Sequence, residues 1–495
     1  MNRPIIRIYV LVLLLFTSLV YFTSKWAVFD SDELQANDKN RRPLIEEQQV
    51  PRGSITTSDG VLIAESNPEG GGNHPVYVRH YPQGSLFGNP VGYNFVTVGR
   101  RGIEQSENGL LAGEKNEFAS IIDELQNQTP VGADITLTLD ANAQRVATQA
   151  LQSAVASTPG SNGAGSVVAI EPSTGAVRVM ASTPGYDPNA VKDPKTFSRL
   201  SEDESAPLFN RPTQAAYEPG STMKVVTAAA ALDSGEFTPQ TTLSGQTGIE
   251  IDGVPLSNAG GETFGEIDMD FALTHSVNVY FAQVGEQLGT ETMFEYMNRF
   301  GFNKDPELDY PDGQMRASGV YDGASLLDSG DAIDIGRVAI GQERLLTTPI
   351  QMAEVAATVA NDGKLEQPTF LQSAKDPDGR TIEELNPSTQ SDVISAETAN
   401  ELTTMMTHVT QEGTAAGLTV GGESFAGKTG TAEVDVEQGI NRPWFIGFAP
   451  AENPQIAIAV MLETCDGCFG GEVAGPIATQ VMDCLLYTSD AADEL

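Results

Sequence analysis

Positive charge is scarce in this 495-residue sequence. Lys and Arg number 28 against 67 Asp and Glu, a net charge of -39. Nothing supplies the basic face that nucleic acid requires, so that class of partner is excluded. An acidic excess of this size bears on solubility and says nothing about fold. Cysteine is nearly absent: three residues cannot form a disulfide framework. The four histidines are scattered, and no His/Cys/Asp/Glu grouping has metal-ligand spacing, so the sequence calls for no metal and no cofactor. Gly-x-Ser-x-Gly is missing as well. With an ordinary apolar content, the length leaves room for two or three domains.

Long hydrophobic runs are lacking, with one exception. Residues 8–22 are almost wholly apolar, and the run extends over 5–28 with only Arg7 and Lys25 near its ends. About 20 residues span a bilayer. Arg3 and Arg7 precede the run, which places the N-terminus in the cytoplasm and the rest of the chain outside. The alternative is a cleaved signal peptide, but no small-x-small site follows. The expectation is a single-pass anchor over 1–28.

Residues 29–157 read as a separate unit of short strands and loops. Arg52-Gly53-Ser54-Ile55 leads into a turn at Ser58-Asp59-Gly60. Residues 114–128 look helical. Residues 135–139 alternate as a strand, and Asp140 caps a helix over 141–153. This unit carries no acid pair in a setting for glycosyl transfer and reads as a spacer. A Gly/Ser/Asn-rich linker follows at 158–166. Two strands then flank a hairpin at 171–175, and helices are expected over 349–360 and 395–411. A hairpin turns at 377–379. Three adjacent antiparallel strands fall over 425–434, 444–449 and 456–462, covered by a helix from Pro476 onward. Strands at both ends with helices between them argue for an α+β or α/β layered domain over 158–483.

Three short motifs carry the chemistry. Pro219-Gly220-Ser221-Thr222-Met223-Lys224 opens an apolar run that closes at Ser234-Gly235. Ser221 and Lys224 are three apart, so on a helix they share a face. A serine at a helix start beside a neutral amine is an activated nucleophile; the bland reading is a helix cap. Ser276-Val277-Asn278 interrupts a helical run over 271–288. Residues i and i+2 do not share a helix face, so both side chains reach one site only from a turn. Lys428-Thr429-Gly430-Thr431 lies on a strand, where Gly427 and Gly430 mark close approach of another backbone: a bound substrate peptide, or a bulge with no ligand. His275 reads as packing rather than as a triad member.

In this order the motifs resemble the penicillin-binding protein and serine β-lactamase superfamily. With the anchor, Asn40-Arg41-Arg42, Gly102-Ile103-Glu104, Gly341-Gln342 and Trp444-Phe445, nearly the whole chain is similar to class B penicillin-binding proteins, the actinobacterial penicillin-binding protein A group in particular. The resemblance implies an α+β transpeptidase domain behind an anchor and a pedestal, with no glycosyltransferase domain. It implies a serine-type D-Ala-D-Ala transpeptidase acting on peptidoglycan stem peptides and acylated by β-lactams. Ser221 would be the nucleophile and Lys224 the base, its pKa depressed by burial and by a positive Lys428. Ser276 would relay the proton, and Asn278 would hold the substrate amide. The backbone N–H groups of Ser221 and Thr431 would form the oxyanion hole, and Lys428, Thr429, Gly430 and Thr431 would line the carboxylate site. A membrane glycan polymerase is the implied partner. Alternatives are a β-lactamase, a D,D-carboxypeptidase and a non-catalytic sensor or scaffold. The turn at 56–60 departs somewhat from the family's pattern.

Two features lie outside this frame. Cys465-Asp466-Gly467-Cys468 has no second ligand pair for zinc and no thioredoxin-like context, so outside the membrane it is expected to close as a small disulfide. Residues 484–495 read as a translated sequencing adapter, not native, with no role for Cys484.

Overall fold

The apolar run forms α1, Arg3–Ser24, a 22-residue helix whose most apolar window has a mean hydropathy of 2.3 and which buries nothing against the rest of the chain. At 1.5 Å per residue it is about 33 Å long, enough to cross a hydrocarbon core. Thr17 and Thr23 donate to carbonyls one turn back, at 2.8 and 2.6 Å, so their hydroxyls need no water. The computed structural model describes residues 3–26, 45, 48–69, 76–113 and 131–493. The helix expected over 114–128 and the Asn40-Arg41-Arg42 stretch lie outside the described residues.

A first sheet orders its strands Thr381–Glu384, Leu371–Lys375, Asp134–Leu137, Ile55–Thr56, Leu62–Glu69 and Val76–His80. The expected Asp59-Gly60 turn is there, with Gly60 at φ +79°. Ile135 and Leu137 point inward, as their alternation requires. Behind them Arg52 Nε and Arg79 Nε reach the two oxygens of Glu104, at 2.7 and 2.5 Å, and all three side chains are buried. Burial works against the Glu104 carboxylate, but the two guanidiniums outweigh it and hold its pKa below the usual range.

The hairpin at 377–379 forms as expected, yet its two strands return to this first sheet. Leu371 pairs with Leu137 and Lys375 with Asp134. The helix capped by Asp140 is α2, Ala141–Ser157, and Asp140 accepts from the Ala143 N–H at 2.7 Å. It packs on the second sheet. The boundary expected between 157 and 158 therefore cuts across this packing.

The second sheet contains β1 (Gly165–Ile170), β2 (Val177–Thr183), β3 (Ala426–Asp435), β4 (Ile440–Ala449) and β5 (Ile456–Leu462), ordered β3-β4-β5-β1-β2 and antiparallel throughout. Every residue of β1 and β5 is buried, because helices cover both faces. Before β3 come α3 (Lys224–Asp233), α4 (Met269–Thr274), α5 (Asn278–Arg299), α6 (Pro349–Ala360) and α7 (Ala396–Gln411); after β5 comes α8 (Gly470–Asp493). The helices α2 and α8 pack on each other and on one face, and α6 packs on the other. The α8 helix begins at Gly470, ahead of the expected Pro476, because Gly470 can lie flush on the sheet: a Cβ there would sit 2.1 Å from the Trp444 carbonyl oxygen. It runs on through Cys484, whose Sγ is 3.2 Å from Asn142 Nδ2, and it buries Leu485.

Candidate active site

A tight turn carries the first motif. Gly220, at φ +54°, lies against β3: a Cβ there would meet the Thr431 and Ala432 backbone at 3.0 Å. A 3-10 turn, Gly220–Met223, then runs into α3, in which every residue from Lys224 to Leu232 is buried. Ser221 sits in that turn and caps nothing with its side chain. Its hydroxyl lies 2.9 Å from Lys224 Nζ, so the helix-cap reading fails.

Lys224 is fully buried. Its amine also meets the Ser276 carbonyl oxygen at 2.8 Å, Asn278 Oδ1 at 2.6 Å and Ser276 Oγ at 3.3 Å. Burial first, and the neighbouring Lys428 second, push its pKa well below that of an ordinary lysine. A neutral amine has two N–H bonds and one lone pair. The Ser276 carbonyl and Asn278 Oδ1 can only accept, so they take the two N–H bonds and leave the lone pair to the Ser221 hydroxyl.

The second motif occupies a turn between α4 and α5, as the i, i+2 spacing requires. Ser276 holds φ +57°, a costly conformation for a residue with a Cβ. That backbone aims its Oγ at Lys428 Nζ, 2.9 Å away. Asn278 Nδ2 donates to the Ser257 carbonyl at 3.2 Å.

The third motif lies on β3, the edge strand, with Lys428 opposite Ile446 and Thr431 opposite Pro443. Lys428 is fully buried and also donates to the Thr429 carbonyl at 3.1 Å. Burial pushes its pKa down to about 7, so the standing positive charge expected from the sequence is only partly kept at neutral pH. The room at the two glycines also differs from expectation. A Cβ at Gly427 would lie 2.5 Å from the Phe445 ring, and one at Gly430 2.7 Å from the Pro219 carbonyl oxygen. Both serve internal packing, and the strand's bulge falls later, between Glu433 and Asp435.

Ser221, Ser276, Asn278, Thr429 and Thr431 converge on one cleft of about 680 Å³. His275 lies at its rim, exposed, its ring 4.2 Å from that of Phe271, which is packing. Three contributors went unread in the sequence. Thr414 Oγ1 is 2.5 Å from Thr429 Oγ1, Phe469 exposes its ring to the cleft, and Arg442 stands behind it. No motif marks them, since each reaches the site through tertiary packing. The Cys465–Cys468 disulfide closes, as expected, between β5 and α8, and Cys465 pairs with Asn441 of β4.

Comparison with known proteins agrees with this geometry. The penicillin binding protein transpeptidase domain model matches residues 165–483, and the penicillin binding protein A dimerisation domain model matches 52–135. The peptidoglycan D,D-transpeptidase PbpA of Mycolicibacterium smegmatis is 32% identical, over 96% of this chain and 97% of its own length. The peptidoglycan D,D-transpeptidase MrdA of Acinetobacter baumannii is 29% identical, over 83% of this chain and 66% of its own. The ceftriaxone acyl-enzyme of penicillin-binding protein A from M. tuberculosis superposes with a TM-score of 0.79 at 29% identity, covering 89% of this chain and all of that one. The cleft-lining Ser221 with its buried Lys224 and the Lys428–Thr431 edge strand thus lie within the matched transpeptidase domain, and the chain belongs to the penicillin-binding proteins.

Proposed function

We propose that this protein is a membrane-anchored peptidoglycan D,D-transpeptidase that works through a Ser221 acyl-enzyme and is a covalent target of β-lactams. The observation that carries the reading is the buried Lys224 amine, 2.9 Å from Ser221 Oγ and within 2.8 and 2.6 Å of two oxygens that can only accept, the Ser276 carbonyl and Asn278 Oδ1. Lys428, Thr429 and Thr431 would hold the terminal carboxylate of a stem peptide along the free edge of β3. Ser221 Oγ attacks the carbonyl between the two terminal D-alanines as its proton passes to Lys224 Nζ. The oxyanion is met by the backbone N–H groups of Ser221 and Thr431, each donor worth about 3 kcal/mol. The C–N bond then breaks. The departing D-alanine amine takes a proton through Ser276, whose hydroxyl stands between Lys224 and Lys428. An amine from a neighbouring stem peptide attacks the ester, and the chain returns to its starting state.

The apolar α1 supports a single membrane span with the N-terminus cytoplasmic and the site outside. The first sheet would then act as a pedestal, and α1 and the pedestal would face a membrane glycan polymerase of the elongation or division machinery. Product analysis with a stem-peptide donor and an amine acceptor tests the reaction: a cross-linked product with release of D-alanine is expected, and hydrolysis alone would make the enzyme a carboxypeptidase. Fluorescent penicillin followed by a chase tests the acyl-enzyme, since rapid loss of label would mark a β-lactamase.

A further inference from the structure

Behind the cleft, on the strand next to β3, stands a charged group that no motif contains. Arg442 of β4 lies opposite Ala432, one position past the Thr431–Pro443 pair. Its Nη1 donates to Glu218 Oε2, its Nε donates to the Glu463 carbonyl at 3.1 Å, and its guanidinium stacks on the Tyr217 ring at 4.8 Å. The Glu463 carboxylate accepts from Arg211 Nε at 2.7 Å, from Asn162 Nδ2 at 2.8 Å and from the Tyr217 hydroxyl. Trp444 Nε1 donates to the Glu218 carbonyl at 3.1 Å. Residues 217 and 218 are therefore gripped from β4 and from the end of β5, three residues before the nucleophile.

We infer that Arg442 is a positioning residue for acylation, setting the Ser221 turn against Thr431 by holding Glu218. This rests on the transpeptidase reading above. The two backbone N–H groups of the oxyanion hole come from two different segments, and their spacing is fixed only as well as those segments are fixed to each other. Gly220 and Gly430 let the segments touch without a side chain between them, so packing sets the closest approach but does not resist sliding. The Arg442 fork, beside the Trp444 Nε1 bond to the Glu218 carbonyl, supplies that resistance: it sits on the strand that pairs with β3 and holds the chain that leads into Ser221. Arg442 does not line the cleft, and its side chain is 12% exposed, so it acts on the site through the segments it holds.

The experiment is rapid-mixing acylation by a fluorescent penicillin across a concentration range, which separates initial binding from the acylation step. Full-length wild-type protein, labelled at Ser221, serves as reference. Arg442→Ala should slow the acylation step about 10–100-fold, the scale of a small misplacement of reacting groups, with initial binding and melting temperature little changed. Arg442→Lys keeps the charge but not the fork and should fall between. Glu218→Gln, a change at a partly exposed carboxylate, should reproduce the loss and serves in place of Arg442→Ala should that variant not fold. An unchanged acylation step in these variants, or a loss confined to initial binding, would overturn the inference. Failure of the folded wild-type protein to take label would overturn the transpeptidase reading instead.

Discussion

At the scale of single residues, the site turns on two buried lysines with different tasks. Lys224 is the proposed base, so Lys224→Ala should slow penicillin labelling by at least the 10²–10⁴-fold that general base catalysis supplies, and Ser221→Ala should abolish it. A gel assay with fluorescent penicillin reads both; labelling of Ser221→Ala would relocate the nucleophile. Lys428 is proposed to hold the substrate carboxylate, and burial, which pushes its pKa down to about 7, leaves it charged only below that value in the free protein. The second-order acylation rate reports the free enzyme, so it should fall as pH rises through that value. A rate flat to pH 9 would show that the charge is not needed. The spacing of Ser221 and Lys224 made the first lysine legible, and the order of the three motifs, through the family resemblance, the second. The protonation of Lys428 was not legible, because it depends on burial that only the folded strand and helices create. Nor was the use of Gly430, whose neighbour, the Pro219 carbonyl, is some two hundred residues away in sequence.

At the scale of elements, the helices with clear cap signals formed where those signals lay. Thr348 caps α6 ahead of Pro349, and Ser395 caps α7. The turn between α4 and α5 followed from the geometry of Ser276 and Asn278 alone. What local pattern misses is an element held by distant partners. Arg52, Arg79 and Glu104 stand on three separate segments, and no spacing rule links them. Removing the carboxylate would take away the charge that both buried guanidiniums share. Glu104→Ala should therefore destabilise the first sheet by about 3–5 kcal/mol, read as a lower denaturant midpoint. A loss below about 1 kcal/mol would mean that water reaches the arginines once the carboxylate is gone.

At the scale of the whole molecule, α1 packs against nothing else described, whereas the first sheet draws its strands from both sides of β1 and β2 in the sequence. Deleting residues 1–28 should move the protein from the membrane fraction to the soluble fraction and leave its acylation rate unchanged. Retention on membranes would assign the attachment to the body of the protein. The layered α+β plan was legible in the order of strands and helices, but the return of Leu371–Lys375 and Thr381–Glu384 to the first sheet was not. A hairpin's sequence specifies its own turn and says nothing about which distant strand it will flank. That return has a consequence for biogenesis. Asp134–Leu137 waits for its neighbour strand until residue 375 has been made, and a strand without its neighbour is an open, pairing-prone edge. A chain that crosses a membrane behind a cytoplasmic N-terminal anchor would expose that edge while most of the catalytic unit is still being synthesised. The first sheet therefore cannot close before most of the catalytic unit has been made, and export stalled before residue 371 would yield an aggregation-prone half.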